Sequence, residues 1–279
     1  MIHRKFVGVD GLSLHFRVRG GPGKDAPSLV LLHPSPMSSA IFVPLMEALP
    51  QDIHVVALDT PGYGLSDPLP SPATQIADYL PTLKRFIEAA IGDTSFALYG
   101  SATGAQLALG FSYTFPERVR HLFLDNAAHF DEVERQHILQ RYFIDLTPRT
   151  DGAHLQALWA HARQMLQYFP WYEADEAHRI RTTEPSVDEI TQLAAHFLAA
   201  GPRYAEAYRA AFCHESIENY QRLTTPTTLF RWLGSPLLPQ INALLAHPLP
   251  ACIRSLDTPA PPAARLETMS RHIAATMHK

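Results

Sequence analysis

Gly100-Ser101-Ala102-Thr103-Gly104 sets two glycines four positions apart. An apolar run, Phe96-Ala97-Leu98-Tyr99, precedes them and a helix-forming run, Ala105-Gln106-Leu107-Ala108-Leu109, follows. This is the frame of the G-x-S-x-G elbow, a sharp strand-to-helix turn that pushes its central side chain into a pocket as a nucleophile. Here the central residue is Ala102. The turn is kept and the reactive atom is gone.

The surrounding elements must hold this turn at a sheet edge. Asp10-Gly11 between Val7-Gly8-Val9 and Leu12–Val18 signals a hairpin. Ser28–Leu32 is a continuous apolar run suited to a strand buried on both faces. Helix-like 38–49, strand-like 54–58, a Pro/Gly-rich loop at 59–72, a helix over 74–92, the strand 96–99, a helix over 104–115 and the strand 119–124 follow in alternation. Such alternation predicts a mostly parallel sheet covered on both faces. Residues 130–222 break the rhythm, being helical, aromatic and histidine-rich. Strands at 227–232 and 252–256 and a helix over 263–278 restore it. The expected organisation is a core of 1–129 and 223–279 with a helical cap, 130–222, over the C-terminal edge of the sheet.

Three segments together carry a resemblance to the α/β-hydrolase superfamily: His33-Pro34-Ser35-Pro36, Asp59-Thr60-Pro61-Gly62-Tyr63-Gly64-Leu65-Ser66-Asp67, and the elbow itself. The second resembles the family's D-x-x-G-x-G-x-S signature, whose Asp59 and Ser66 read as loop-fixing residues. The resemblance implies an α/β fold with a mostly parallel eight-stranded sheet, helices on both faces and a helical cap. It also implies where a triad would sit, in the order nucleophile, acid, histidine. The nucleophile slot holds Ala102. The acid slot reads Leu233-Gly234-Ser235-Pro236-Leu237-Leu238-Pro239 and the histidine slot Asp257-Thr258-Pro259-Ala260-Pro261-Pro262, so neither holds its residue. His272 lies too deep in the last helix to substitute. An inactivating Ser→Ala change alone would leave the other two slots filled, so natural loss or replacement of the triad is the better reading of Ala102.

The resemblance implies oxyanion donors at the backbone N–H groups of Ser35 and Thr103, the latter opening a helix whose dipole favours negative charge. Such a pair would hold a carboxylate, enolate or carbonyl oxygen. For acid–base work the candidates are His33, at the pocket edge, and Asp125 with His129 at the end of the sixth strand, an alternative acid slot in dehalogenase-like members. A dehalogenase itself would need a carboxylate where Ala102 stands. Each candidate has a structural alternative: His33 as a loop-orienting residue, Asp125 as a turn cap, and Ser101 as a small residue beside the turn rather than a displaced nucleophile. His154, His161, His178, His196 and His214 lack the spacing of a local metal motif, and no metal is expected. Tyr168-Phe169-Pro170-Trp171-Tyr172 reads either as cap packing or as an aromatic pocket wall, with Tyr168 and Trp171 as candidate substrate-binding residues.

The remaining properties narrow the class. The 279-residue chain is 46% hydrophobic with a formal net charge of −4 and no basic run, which argues against nucleic acid or an anionic membrane as partner. Cys213 and Cys252 suit reduced thiols, and the absence of an apolar leader segment suits a cytoplasmic protein. No dinucleotide fingerprint or P-loop implies a cofactor. The expected partner is a small, apolar or aromatic molecule with a carbonyl or carboxylate, with a homodimer left open. Three functions compete: an enzyme with lyase, decarboxylase, isomerase, cyclase or water-based hydrolytic chemistry; a ligand-binding pseudoenzyme; and a serine esterase silenced at residue 102.

Overall fold

A computed structural model describes residues 1–20 and 26–278. Its centre is an eight-stranded sheet: β1 (His3–Val9), β2 (Leu12–Arg19), β3 (Ser28–Leu32), β4 (His54–Leu58), β5 (Phe96–Ser101), β6 (Val119–Asp125), β7 (Thr227–Trp232) and β8 (Ile253–Thr258). The spatial order is β1-β2-β4-β3-β5-β6-β7-β8. The β1–β2 hairpin turns at Asp10-Gly11, both with positive φ, and joins β4 antiparallel, whereas β3 to β8 pair in parallel. This is the mostly parallel eight-stranded sheet that the sequence leads one to expect.

Every residue of β3 and β5 is buried, which is why both read as unbroken apolar runs. Side-chain alternation divides the core. Leu29, Leu31, Tyr99, Phe123 and Phe230 face one side, where they meet Met269 and Ile273 of the last helix. Val30, Leu32, Leu98, Leu122, Leu124 and Leu229 face the other, with the helix that follows β5. Ten α-helices accompany the strands among the described residues: α1 (Val43–Ala48), α2 (Leu80–Ile91), α3 (Thr103–Thr114), α4 (Glu132–Arg141), α5 (Ala153–Met165), α6 (Val187–Ala200), α7 (Ala205–His214), α8 (Ile217–Gln221), α9 (Leu238–Leu245) and α10 (Pro262–Met277). The helix expected over 74–92 is divided into a 3-10 turn at Ile76–Tyr79 and α2, whose second residue is Pro81, a residue suited to a first helical turn.

Helices α4 to α8 lie between β6 and β7. They hold a small core of their own around Leu158, Ile190, Leu193 and Phe197, while Ala207, Ala210 and Ala211 of α7 join the main core beside α3. No helix of the described residues is long and apolar enough to cross a membrane.

Candidate active site

The elbow exists because its glycines leave no alternative. A Cβ on Gly100 would lie 2.1 Å from the Gly104 carbonyl oxygen, and one on Gly104 would lie 2.1 Å from that of Leu32. Helix α3 therefore starts in contact with the end of β3 and the loop behind it. Ala102, at the apex, takes φ 49° and ψ −110°, a left-handed conformation that costs a non-glycine residue roughly 1–3 kcal/mol. Its N–H donates to the Asp125 carbonyl at 3.0 Å and its carbonyl starts α3 by accepting from Ala105. The strained elbow persists around a methyl group.

Above the elbow is a cavity of about 110 Å³. Ala102, Thr103, Gln106 and Asn126 contribute from the sheet side, and Phe130, Tyr142, Phe169, Tyr208 and Phe212, from the segment between β6 and β7, make an aromatic wall. Glu215, in the link between α7 and α8, also lines it. The Thr103 N–H opens α3 and has no intrahelical acceptor, so it is a free donor at the positive end of a helix.

The structure redistributes the acid–base candidates. Asp125 pairs in register with Ser101 and shares a sheet face with it. Its Oδ2 accepts from Tyr99 Oη at 2.6 Å, Ser101 Oγ at 3.2 Å and Arg265 Nη2 at 2.5 Å. Asp125 is thus committed to Arg265 on the α10 side and does not line the cavity; the expected Asp125–His129 pair is not formed. Ser101 points the same way, away from the place of a nucleophile. The next residue, Asn126, reaches the cavity with φ 48°, and its Oδ1 accepts from Ser235 Oγ at 2.7 Å. An amide, and not the carboxylate of Asp125, thus reaches the cavity from the end of β6.

His129 has a different carboxylate. Its Nδ1 lies 2.9 Å from Glu215 Oε1, and the Phe130 N–H donates to Oε2 at 3.1 Å. Burial pushes the Glu215 carboxyl above its ordinary range, against the opposing pull of His129, the Phe130 amide and Arg135. A buried carboxyl with a raised pKa beside a histidine is a candidate proton carrier.

His33 is fully engaged elsewhere. Its Nδ1 bonds the Pro34 carbonyl at 3.0 Å and its Nε2 accepts the Thr60 N–H at 2.9 Å. Burial lowers its pKa, although Asp59 pulls the other way. With both nitrogens tied to backbone and no place on the cavity wall, it orients the loop and is not placed to act as a base. Asp59 fixes the neighbouring loop by accepting from Ser39 N and Leu65 N, and a Cβ on Gly64 would lie 2.1 Å from its Oδ2. Burial alone would raise the Asp59 carboxyl, but these hydrogen bonds and nearby His33 hold it below the ordinary range.

Ser35 is buried in the same loop but does not line the cavity, so of the expected oxyanion donors only Thr103 does. Tyr168 and Trp171 do not line it either. Tyr168 bridges to Arg179, and Trp171 donates Nε1–H to the Tyr142 carbonyl at 2.8 Å while its ring meets His161 edge-on. Phe169, between them, takes the wall position. Beside the two remaining triad slots, Trp232 Nε1 donates to the Ala260 carbonyl and the Arg265 guanidinium lies over the Trp232 ring, 4.4 Å from its centroid. No histidine lines the cavity among the described residues, and no group of three or more His, Cys, Asp or Glu is arranged to hold a metal ion.

Comparison with known proteins agrees with this architecture. The chain is 30% identical over 127 residues to the uncharacterized hydrolase YNR064C of Saccharomyces cerevisiae, covering 44% of this chain and 41% of that one. The match thus spans about two fifths of the curated relative's length. Epoxide hydrolase A from Mycobacterium thermoresistibile superposes with a TM-score of 0.68 at 18% identity, covering 99% of this chain and 97% of that one. A haloalkane dehalogenase loop variant, DbeA-M1 from Bradyrhizobium elkanii, gives 0.67 at 21% identity, covering 100% and 97%. These two likenesses concern the fold. The profile of the alpha/beta hydrolase fold family matches residues 27–239, and the chain belongs to that family.

Proposed function

We propose that this protein is an enzyme of the α/β-hydrolase fold that performs acid–base chemistry on a small carbonyl compound without a covalent enzyme intermediate. Glu215 moves the proton, and the Thr103 N–H holds the oxygen on which negative charge develops. The observation that carries this reading is that a carboxyl only 3% exposed shares a cavity with the emptied elbow. Burial makes ionised Glu215 a stronger base than an exposed glutamate, and a preorganised amide at a helix start stabilises an enolate oxygen. Together they suit proton abstraction next to a carbonyl, the first step of isomerase, lyase and some cyclase reactions.

The test is exchange at the carbon next to a ketone. Cyclopentanone in D₂O should lose its α-protons faster with the protein than with buffer, as read by proton NMR. Glu215→Gln should abolish the excess rate. An unchanged rate in that variant would refute the assignment.

A second reading, a binding protein that releases its ligand unchanged, is favoured by one detail. Both Glu215 oxygens already accept a hydrogen bond, one from His129 and one from the Phe130 N–H. It predicts ligand-dependent thermal stabilisation with no α-exchange.

A further inference from the structure

With Ser35 off the cavity wall, the Thr103 N–H lacks the second donor that an oxygen site needs. Gln106, one turn further along α3, is 4% exposed and lines the same cavity. Its amide belongs to a hydrogen-bond chain that runs from the half-buried Tyr113 and His214 to the buried Tyr220: Tyr113 Oη lies 2.7 Å from His214 Nε2, His214 Nδ1 lies 2.8 Å from Gln106 Oε1, and Gln106 Nε2 donates to Tyr220 Oη at 3.2 Å.

The chain has a direction. Arg222 lies over the Tyr113 ring, 3.6 Å from its centroid, and Gln106 Oε1, an amide oxygen that can only accept, sets the order from the other end. His214 Nε2 is then the acceptor, and Nδ1 carries the proton that Gln106 Oε1 receives. Burial and nearby Arg222 keep this imidazole neutral, its pKa lowered to about 4. Gln106 Oε1 is thus held by His214, and one Nε2–H is held by Tyr220. The second Nε2–H has no partner among the described residues.

The cavity also sets the charge of its ligand. Among the described residues no Lys, Arg or His lines it, and Glu215 does, so a bound carboxylate would meet a like charge and no cation on the wall, Arg135 behind it being already paired with Glu215. A neutral carbonyl needs only donors. The volume of about 110 Å³ fits a compound near the size of a small ring, given that an apolar cavity of ~150 Å³ takes benzene.

We propose that Gln106, oriented by His214, is the specificity residue of this cavity. It donates Nε2–H beside the Thr103 N–H to the oxygen of a small neutral cyclic carbonyl compound, and the site selects against carboxylates. The proposal rests on the carbonyl reading of the cavity given above, and His214 acts only as a positioning residue.

The experiment is an NMR titration of ¹⁵N-labelled protein with cyclopentanone, cyclopentane and cyclobutanecarboxylate. The Gln106 side-chain NH₂ peaks are assigned in the wild-type protein by triple-resonance experiments on ¹³C,¹⁵N-labelled material, with their loss in Gln106→Leu as a check. They should shift with cyclopentanone and stay in place with cyclopentane, and cyclobutanecarboxylate should bind weakest. Gln106→Leu should weaken cyclopentanone about tenfold, the usual scale for one unmade hydrogen bond, and leave cyclopentane unchanged. His214→Leu should narrow the ketone preference in the same way. If either variant fails to fold, the peak shifts in the wild-type protein still decide. Equal binding of ketone and cyclopentane with unmoved Gln106 peaks would overturn the Gln106 assignment alone, and tightest binding of the carboxylate would overturn the charge argument. Binding of none of the three would remove the cavity reading beneath both.

Discussion

Arg265 of α10 closes on Asp125 at the end of β6 with Nη2 and Oδ2 2.5 Å apart, on the side of the sheet away from the cavity. Asp125 is nearly inaccessible, and two hydroxyls, Tyr99 Oη and Ser101 Oγ, share its bonded oxygen. A carboxylate so placed is a structural anchor for the last helix. Removing only the cation would strand a buried charge. Arg265→Met is expected to cost about 3–5 kcal/mol in urea unfolding, and adding Asp125→Leu should recover much of it.

The elbow makes opposite demands at positions two residues apart. Ala102→Gly should relieve the left-handed strain and stabilise the fold by about 1 kcal/mol after the entropic cost of glycine. Gly104→Ala must push a methyl into the Leu32 carbonyl and should destabilise by about 3 kcal/mol or more. Denaturant midpoints of the two variants should move in opposite directions.

Ala102→Ser should not create an esterase. A serine there would find no histidine on the cavity wall, and Asp125 is held by Arg265. Stopped-flow assays with p-nitrophenyl acetate should show neither burst nor steady turnover in the wild type or the variant. A burst followed by turnover in the variant would mean that a working base and acid had been overlooked.

Acid should weaken the fold at a pH above the ordinary range of exposed carboxylates. Burial lowers His161 and His214 from an ordinary 6.5 to about 4 each. Between these values the unfolded chain binds protons that the folded chain refuses, so stability is full above pH 6.5 and falls as pH drops toward 4. Urea midpoints should decline through this window, less steeply in His161→Phe. A further loss should follow at lower pH, because Asp59 is held below the ordinary carboxylate range in the folded state and protonates more readily when unfolded.

The legibility of these parts in the sequence follows from their physics. Gly100 and Gly104 are visible because backbone packs against both, and β3 is visible because both of its faces are buried. Asp125 was a fair acid candidate from its place in the chain, but a strand reverses side-chain direction at every residue. Pairing with Ser101 puts Asp125 on the far face and leaves Asn126 at the cavity. Within Tyr168–Tyr172 no regular period tells which ring faces inward, so Tyr168 and Trp171 stood out while Phe169 took the position. Glu215 carries no motif. Its place on the cavity wall depends on how α7 and α8 meet α3, and that meeting is tertiary.

The most direct measurement is the α-proton exchange of cyclopentanone in D₂O, followed side by side for the wild type, Glu215→Gln and Ala102→Ser. The account predicts exchange above buffer in the wild type, its loss in Glu215→Gln, and little change in Ala102→Ser. Exchange that survives Glu215→Gln would contradict it.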